Sequence, residues 1–157
     1  MEFSTYTLPN GIRGIHRQVR NTVAHCALVI GAGSRDEHPA EYGLAHLTEH
    51  AFFKGTERRK AWQVNCRLEN LGGELNAFTT KECTCFYARV LDTHLARAAD
   101  ILCDMFFHSR FDDADVETER GVILEEIGMY EDNPEDLCAE RLAGAVFKGS
   151  PLARPIL

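Results

Sequence analysis

The sequence predicts an α+β fold, an antiparallel sheet with helices packed on one face. Three observations lead there. Runs of β-forming residues come in hairpin-like pairs in the first part of the chain. Three helical stretches follow one another in the last third. The chain's 157 residues suit one domain, of a size that buries about two-thirds of its unfolded surface. Strands in hairpins followed by helices in runs are the α+β pattern.

In chain order, Phe3–Leu8 and Ile12–Val19 read as a hairpin around the Pro9-Asn10-Gly11 turn. An apolar strand, Val23–Ile30, ends in Gly31-Ala32-Gly33-Ser34, which reads as flexible. A helix is predicted from about Tyr42 to Lys54, with Gly55 as its stop, and another from about Lys60 to Leu71, closed by Gly72-Gly73. Glu74–Thr79 and Cys83–Leu91 read as two more strands, with β-formers such as Thr84, Phe86, Tyr87 and Val90. The remaining helices are expected over Thr93–His108, Asp112–Tyr130 and Pro134–Phe147. Asp112 is placed to cap the middle one, whose acidic first turn suits the helix dipole.

Composition excludes several function classes. Nothing approaches the roughly 18 consecutive apolar residues of a membrane span, so a soluble protein with no membrane partner is expected. The formal charge is −7 and no basic stripe is present, which argues against a nucleic-acid partner. From Asp112 to Glu140 twelve acidic residues meet one basic residue, Arg120, so that stretch carries −11 and the rest of the chain +4. The six cysteines contain no CxxC pair and read as reduced, mostly packed thiols. Met-Glu-Phe-Ser-Thr-Tyr at the start lacks the features of a signal peptide, so a reducing, cytoplasmic, bacterial-like setting is expected.

The chemistry concentrates in Gly43–Thr56, where His46, Glu49 and His50 form a His-x-x-Glu-His run. Residues i and i+4 of a helix share one face, so both imidazoles can reach one ion at roughly 2.0–2.1 Å. Glu49 stands at the edge of that face, able to take a proton from a water the metal activates. A shuffled chain with 7 His would show this pattern roughly 0.03 times. The bland reading is two ordinary histidines on a helix, but Leu44, Leu47, Ala51 and Phe52 supply the apolar flanks of a desolvated site. A third protein ligand is missing, and carboxylates on another element are the candidates. Val116, Val122, Ile123, Leu124 and Ile127 mark a largely buried helix carrying Glu119, Glu125 and Glu126. Glu119 and Glu126, seven apart, share a face, and the residues alone leave the choice open.

Four segments carry a family resemblance: Leu8-Pro9-Asn10-Gly11-Ile12-Arg13, Gly43–Thr56, Gly72–Thr79, and Glu119–Glu126 with its tail Met129–Pro134. Gly149–Ile156 adds a fifth. Together they resemble the catalytic N-terminal part of the inverted-zincin peptidases, the family of pitrilysin, insulin-degrading enzyme and the mitochondrial processing peptidase. Bacterial processing-peptidase members are nearest. The resemblance implies zinc held by His46, His50 and Glu126, with Glu49 as catalytic base. It implies Glu119 as a supporting glutamate behind the ligands. It also implies Asn76-Ala77-Phe78-Thr79 as an edge strand that pairs with substrate backbone. Glu82 matches a recurrent family position of unassigned role.

The activity so implied is a zinc endopeptidase acting on extended or unfolded polypeptides, with the acidic stretch favouring basic residues. In the family the first domain continues beyond this point and a second, similar half closes the chamber. A single, incomplete domain over 1–157 is therefore expected, needing a second homologous half or a second copy, with dimerisation along an unpaired sheet edge as one route. Two other readings stand beside it. One is a zinc-stabilised, non-catalytic fragment or subunit. The other is an S-ribosylhomocysteine lyase-like enzyme, which shares the His-x-x-Glu-His helix but takes a cysteine as third ligand, for which Cys83 and Cys85 are the candidates.

Overall fold

The computed structural model describes residues 2–157. Ser4–Thr7 (β1) and Arg13–His16 (β2) form the expected hairpin, with Gly11 N–H donating to the Leu8 carbonyl at 2.9 Å. Val23–Ile30 (β3), Glu74–Thr79 (β4) and Thr84–Leu91 (β5) form a separate sheet of order β3-β5-β4, antiparallel throughout. The antiparallel sheet under helices is as expected, and the hairpin forms a second, two-stranded sheet. The residues of the hairpin are almost all exposed, and among the described residues the hairpin pairs only with itself.

Helices cover one face of the three-stranded sheet. Leu44–Phe52 (α1), Ala61–Glu69 (α2) and Leu95–His108 (α3) pack there, followed by Asp113–Glu131 (α4) and Pro134–Val146 (α5). The period of β5 selects the core face: Phe86, Ala88 and Val90 alternate inward. They meet Val64 and Leu68 of α2 and Ala98, Ile101, Leu102 and Met105 of α3. Cys26, Leu28 and Ile30 of β3 complete the layer, while His25, Ala27 and Val29 point to solvent.

Two expectations need correction. The Gly31–Ser34 segment is not loose: Ser34 is buried, its N–H donates to the Thr80 carbonyl at 3.2 Å, and Arg35 pairs with Glu82. A Cβ on Gly33 would lie 2.3 Å from that same Thr80 carbonyl, so the glycine permits close approach. Nor is α4 largely buried. Only Glu119 and Ile123 are buried, while Val122 and Leu124 are exposed. Its covered stripe, Val116, Glu119, Ile123, Glu126/Ile127 and Tyr130, follows the helical period, and Val122 and Leu124 fall off it. The six cysteines are all free, with Cys85 buried and Cys103 and Cys138 exposed.

Candidate metal centre

Helix α1 is fixed at both ends and along one side. Ala51 and Phe52 are buried, and the Phe52 ring meets Phe86 edge-on at 4.9 Å. That packing turns the adjacent face, with His46, Glu49 and His50, away from the sheet core and toward α4. At the N-terminus the buried Glu37 carboxylate accepts from Gly43 N–H at 3.0 Å and Ala45 N–H at 2.7 Å. These are donors a helix leaves unsatisfied, and a negative charge there favours the dipole. Past the C-terminus, Gly55 adopts φ 124°, and Thr56 Oγ1 donates to Asp104 of α3 at 2.8 Å. The Asp104 side chain is 1 % exposed and also meets Arg59 Nη1 at 2.5 Å.

Helix α4 crosses α1 and brings Glu126 to the two histidines. Its Oε2 lies 3.9 Å from His46 Nε2 and 3.7 Å from His50 Nε2. One ligand atom from each of the three residues lies within 4.8 Å of the others, the only such group among the described residues. Two donors on a tetrahedral ion with bonds of 2.0–2.1 Å are about 3.3 Å apart, so a slight closure of the observed triangle suffices. Burial pushes the His46 imidazole below its ordinary pKa, and His50 adds to this against the opposing charges of Glu126 and Glu49. A neutral imidazole presents the lone pair a metal needs. Two imidazoles and one carboxylate are a donor set suited to zinc. The residues present fit the ion. Glu125 is exposed and, like every cysteine, outside the cluster. The geometry therefore offers the lyase-like arrangement no cysteine ligand.

Behind His50 sits Glu119, 6 % exposed. Its Oε2 lies 2.9 Å from His50 Nδ1, and its Oε1 pairs with Lys54 Nζ. Burial raises the Glu119 pKa, but the hydrogen bonds from Lys54 and His50 and the charge of Lys54 outweigh it and hold the carboxyl below its usual range. Glu119 touches a histidine rather than the open cleft.

The cleft opens between α1, α4 and β4. It is a cavity of about 530 Å³ whose walls include His46, Glu49, Glu126, Ala77, Phe78 and Thr79. Among the described residues strand β4 pairs only with β5, so its outer edge is free. Asn76 and Phe78 are exposed and alternate with the half-buried Ala77 and Thr79. Thr79 Oγ1 donates to Glu49 Oε2 and so ties the strand to the carboxylate.

Sequence reasoning missed three participants. Lys54 stands four residues after His50, and that spacing was the available signal. Glu37 caps α1 from outside the helix, and nothing in its surroundings marks it. Pro155-Ile156-Leu157 forms part of the cleft wall, held by Arg154, whose guanidinium donates to the Arg35 and Glu37 carbonyls. These contacts span more than a hundred residues of chain, which no local pattern encodes.

Residues 15–157 match the family described as Insulinase (Peptidase family M16). A zinc protease of Bacillus subtilis (strain 168) is 46% identical over 154 residues, covering 97% of this chain and 37% of that protein. The beta subunit of the mitochondrial-processing peptidase of Caenorhabditis elegans is 39% identical over 151 residues, 96% of this chain and 33% of that one. In structure, a protease from Helicobacter pylori superposes with a TM-score of 0.91 at 22% identity, covering 98% of this chain and 37% of that chain. This last likeness bears on the fold. The chain spans about a third of the length of these relatives.

Proposed function

Since the chain belongs to the insulinase family of peptidases (peptidase family M16), we propose that it carries the catalytic centre of a zinc metalloendopeptidase. In this reading His46, His50 and Glu126 hold the ion and Glu49 is the general base. The observation that carries it is the convergence of three donor atoms from α1 and α4 within 4.8 Å, beside a carboxylate and a free sheet edge. When bound, zinc supplies the Lewis acidity that acidifies water and polarises a peptide carbonyl. Glu49 takes the proton of the attacking water and returns it to the leaving amine. One of its oxygens is engaged by Thr79, which holds the carboxylate while the other oxygen handles the proton. Glu119 fixes the orientation of His50 from behind.

An extended peptide adds to the outer edge of β4 at Asn76–Thr79, its backbone completing the open ladder and its side chains entering the cleft. Glu131 on the cleft wall supports a preference for basic side chains, while Glu140 beside it is already paired with Lys81 at 2.8 Å; matched Arg-bearing and Glu-bearing peptides test the preference, and equal rates would remove it. A second homologous half, in the same polypeptide or from another copy, closes the chamber in this reading. That a relative is named as a subunit, the beta subunit of the mitochondrial-processing peptidase, supports that expectation.

The test compares parent and Glu49→Gln on an unfolded polypeptide, with zinc and with a chelator. Expected are chelator-sensitive cleavage by the parent and a loss of roughly 10²- to 10⁴-fold in the variant, at equal zinc content. A Glu49→Gln protein as active as the parent would overturn the assignment of the base. A parent that binds zinc and never cleaves, with or without the second half, would favour the non-catalytic reading.

A further inference from the structure

We infer that Lys54 is a positioning residue of the metal centre: it holds Glu119, and Glu119 in turn fixes His50. The inference rests on the ligand set proposed above. Lys54 follows His50 by one helical turn, and its N–H donates to the Ala51 carbonyl at 3.1 Å, so it continues the spiral of α1. Glu119 divides its two oxygens, Oε2 to His50 Nδ1 at 2.9 Å and Oε1 to Lys54 Nζ. Among the described residues no other lysine or arginine comes within ion-pair distance of Glu119.

The chemistry makes Lys54 necessary. A carboxylate as buried as Glu119, 8 % exposed in its side chain, is unfavourable unless a cation compensates it. A histidine that presents Nε2 to a metal is neutral and carries its proton on Nδ1, so it offers Glu119 a dipole and not a charge. Lys54 supplies the charge. Without it Glu119 has reason to turn to water, and His50 Nδ1–H loses the acceptor that sets its tautomer and ring plane.

Lys54 also lines a second recess of about 360 Å³ with Glu49, Phe53, Asn65 and Asn76, where a lysine could instead contact substrate. Its engagement by Glu119 favours the positioning role, and zinc affinity without any substrate separates the two.

The experiment measures the zinc dissociation constant of the chain by competition with a chromophoric chelator. The proteins are the parent, Lys54→Met, Lys54→Arg, Glu119→Gln and the Lys54→Met/Glu119→Gln double variant. Expected are one zinc bound by the parent, a loss of roughly 10- to 100-fold for Lys54→Met, and affinity close to the parent's for Lys54→Arg. In the Glu119→Gln background Lys54→Met should add almost nothing, because it acts through Glu119. Metal-free melting temperatures separate a folding defect from a metal defect, and Lys54→Gln, which removes the charge but keeps a polar head, is read in the same way. Parent-like affinity in Lys54→Met and Lys54→Gln, or losses that multiply in the double variant, would overturn the inference while leaving the ligand set standing. A parent that binds no zinc would overturn both.

Discussion

Replacing Asp104 by Asn tests how the segment after α1 is anchored to α3. The Asp104 carboxylate meets Arg59 Nη1 at 2.5 Å, Thr56 Oγ1 at 2.8 Å, His108 Nδ1 at 3.3 Å and Arg58 Nε at 3.8 Å. Its side chain is 1 % exposed and that of Arg59 12 %. Breaking a buried pair by removing one partner costs about 3–5 kcal/mol, because the other charge is left uncompensated. Two features bring the expectation to the low end. Arg59 keeps Asp100 at 2.5 Å, and an Asn carbonyl can still accept from Thr56.

A loss of about 3 kcal/mol is therefore expected near pH 7, which for a chain of this size lowers the melting temperature by roughly 6–12 °C. The pH dependence has a definite sign. Burial raises the Asp104 pKa, but the hydrogen bonds from Thr56 and Arg59 and the charges of Arg59 and Arg58 outweigh it and hold it below the ordinary value. The stabilisation is thus fully present above the unfolded-state pKa of about 3.9 and is lost as pH falls through the lower folded-state value. Urea unfolding of parent and Asp104→Asn at pH 7 and at successively lower pH reads both. A loss under about 1 kcal/mol at pH 7 would refute the reasoning, as would a difference that does not shrink in acid.

Two other outcomes follow from the site and its supports. Thr79→Val removes the hydroxyl that donates to Glu49 while keeping the shape. Because a hydrogen bond to a charged group contributes about 1.5–3 kcal/mol, kcat should fall roughly 10- to 100-fold with zinc content unchanged; an unchanged kcat would argue against a positioned base. Gly33→Ala places a methyl 2.3 Å from the Thr80 carbonyl and 2.7 Å from Glu82 N. Backbone must move to admit it, at a cost of about 1–3 kcal/mol, read as a lower urea midpoint.

The elements were legible in the sequence where periodicity is strong. Val23–Ile30 and Glu74–Thr79 match β3 and β4 residue for residue, and α1 to α5 each lie within the expected stretch or one residue beyond it. The His46/His50 pair and Glu49 follow from helical spacing, whereas Glu126 could be singled out from Glu125 only by resemblance, since both sit on one helix. The exposure of Val122 and Leu124 was not legible, because apolar identity does not say which face of α4 meets a neighbour. Nor was the close packing of Gly33 and Ser34. Glycines usually mark mobile turns, and here Gly33 instead lets the chain approach the Thr80–Glu82 backbone. Glu37, Lys54 and Arg154 act through partners brought together by tertiary packing.

The most direct test is zinc per chain, by elemental analysis, for the purified protein and its Glu126→Ala variant. Near one zinc for the parent and much weaker retention by the variant are expected, since Glu126 is the one carboxylate of the cluster. A parent without zinc, or a variant that retains it equally well, would contradict the ligand set and with it the catalytic role assigned to Glu49.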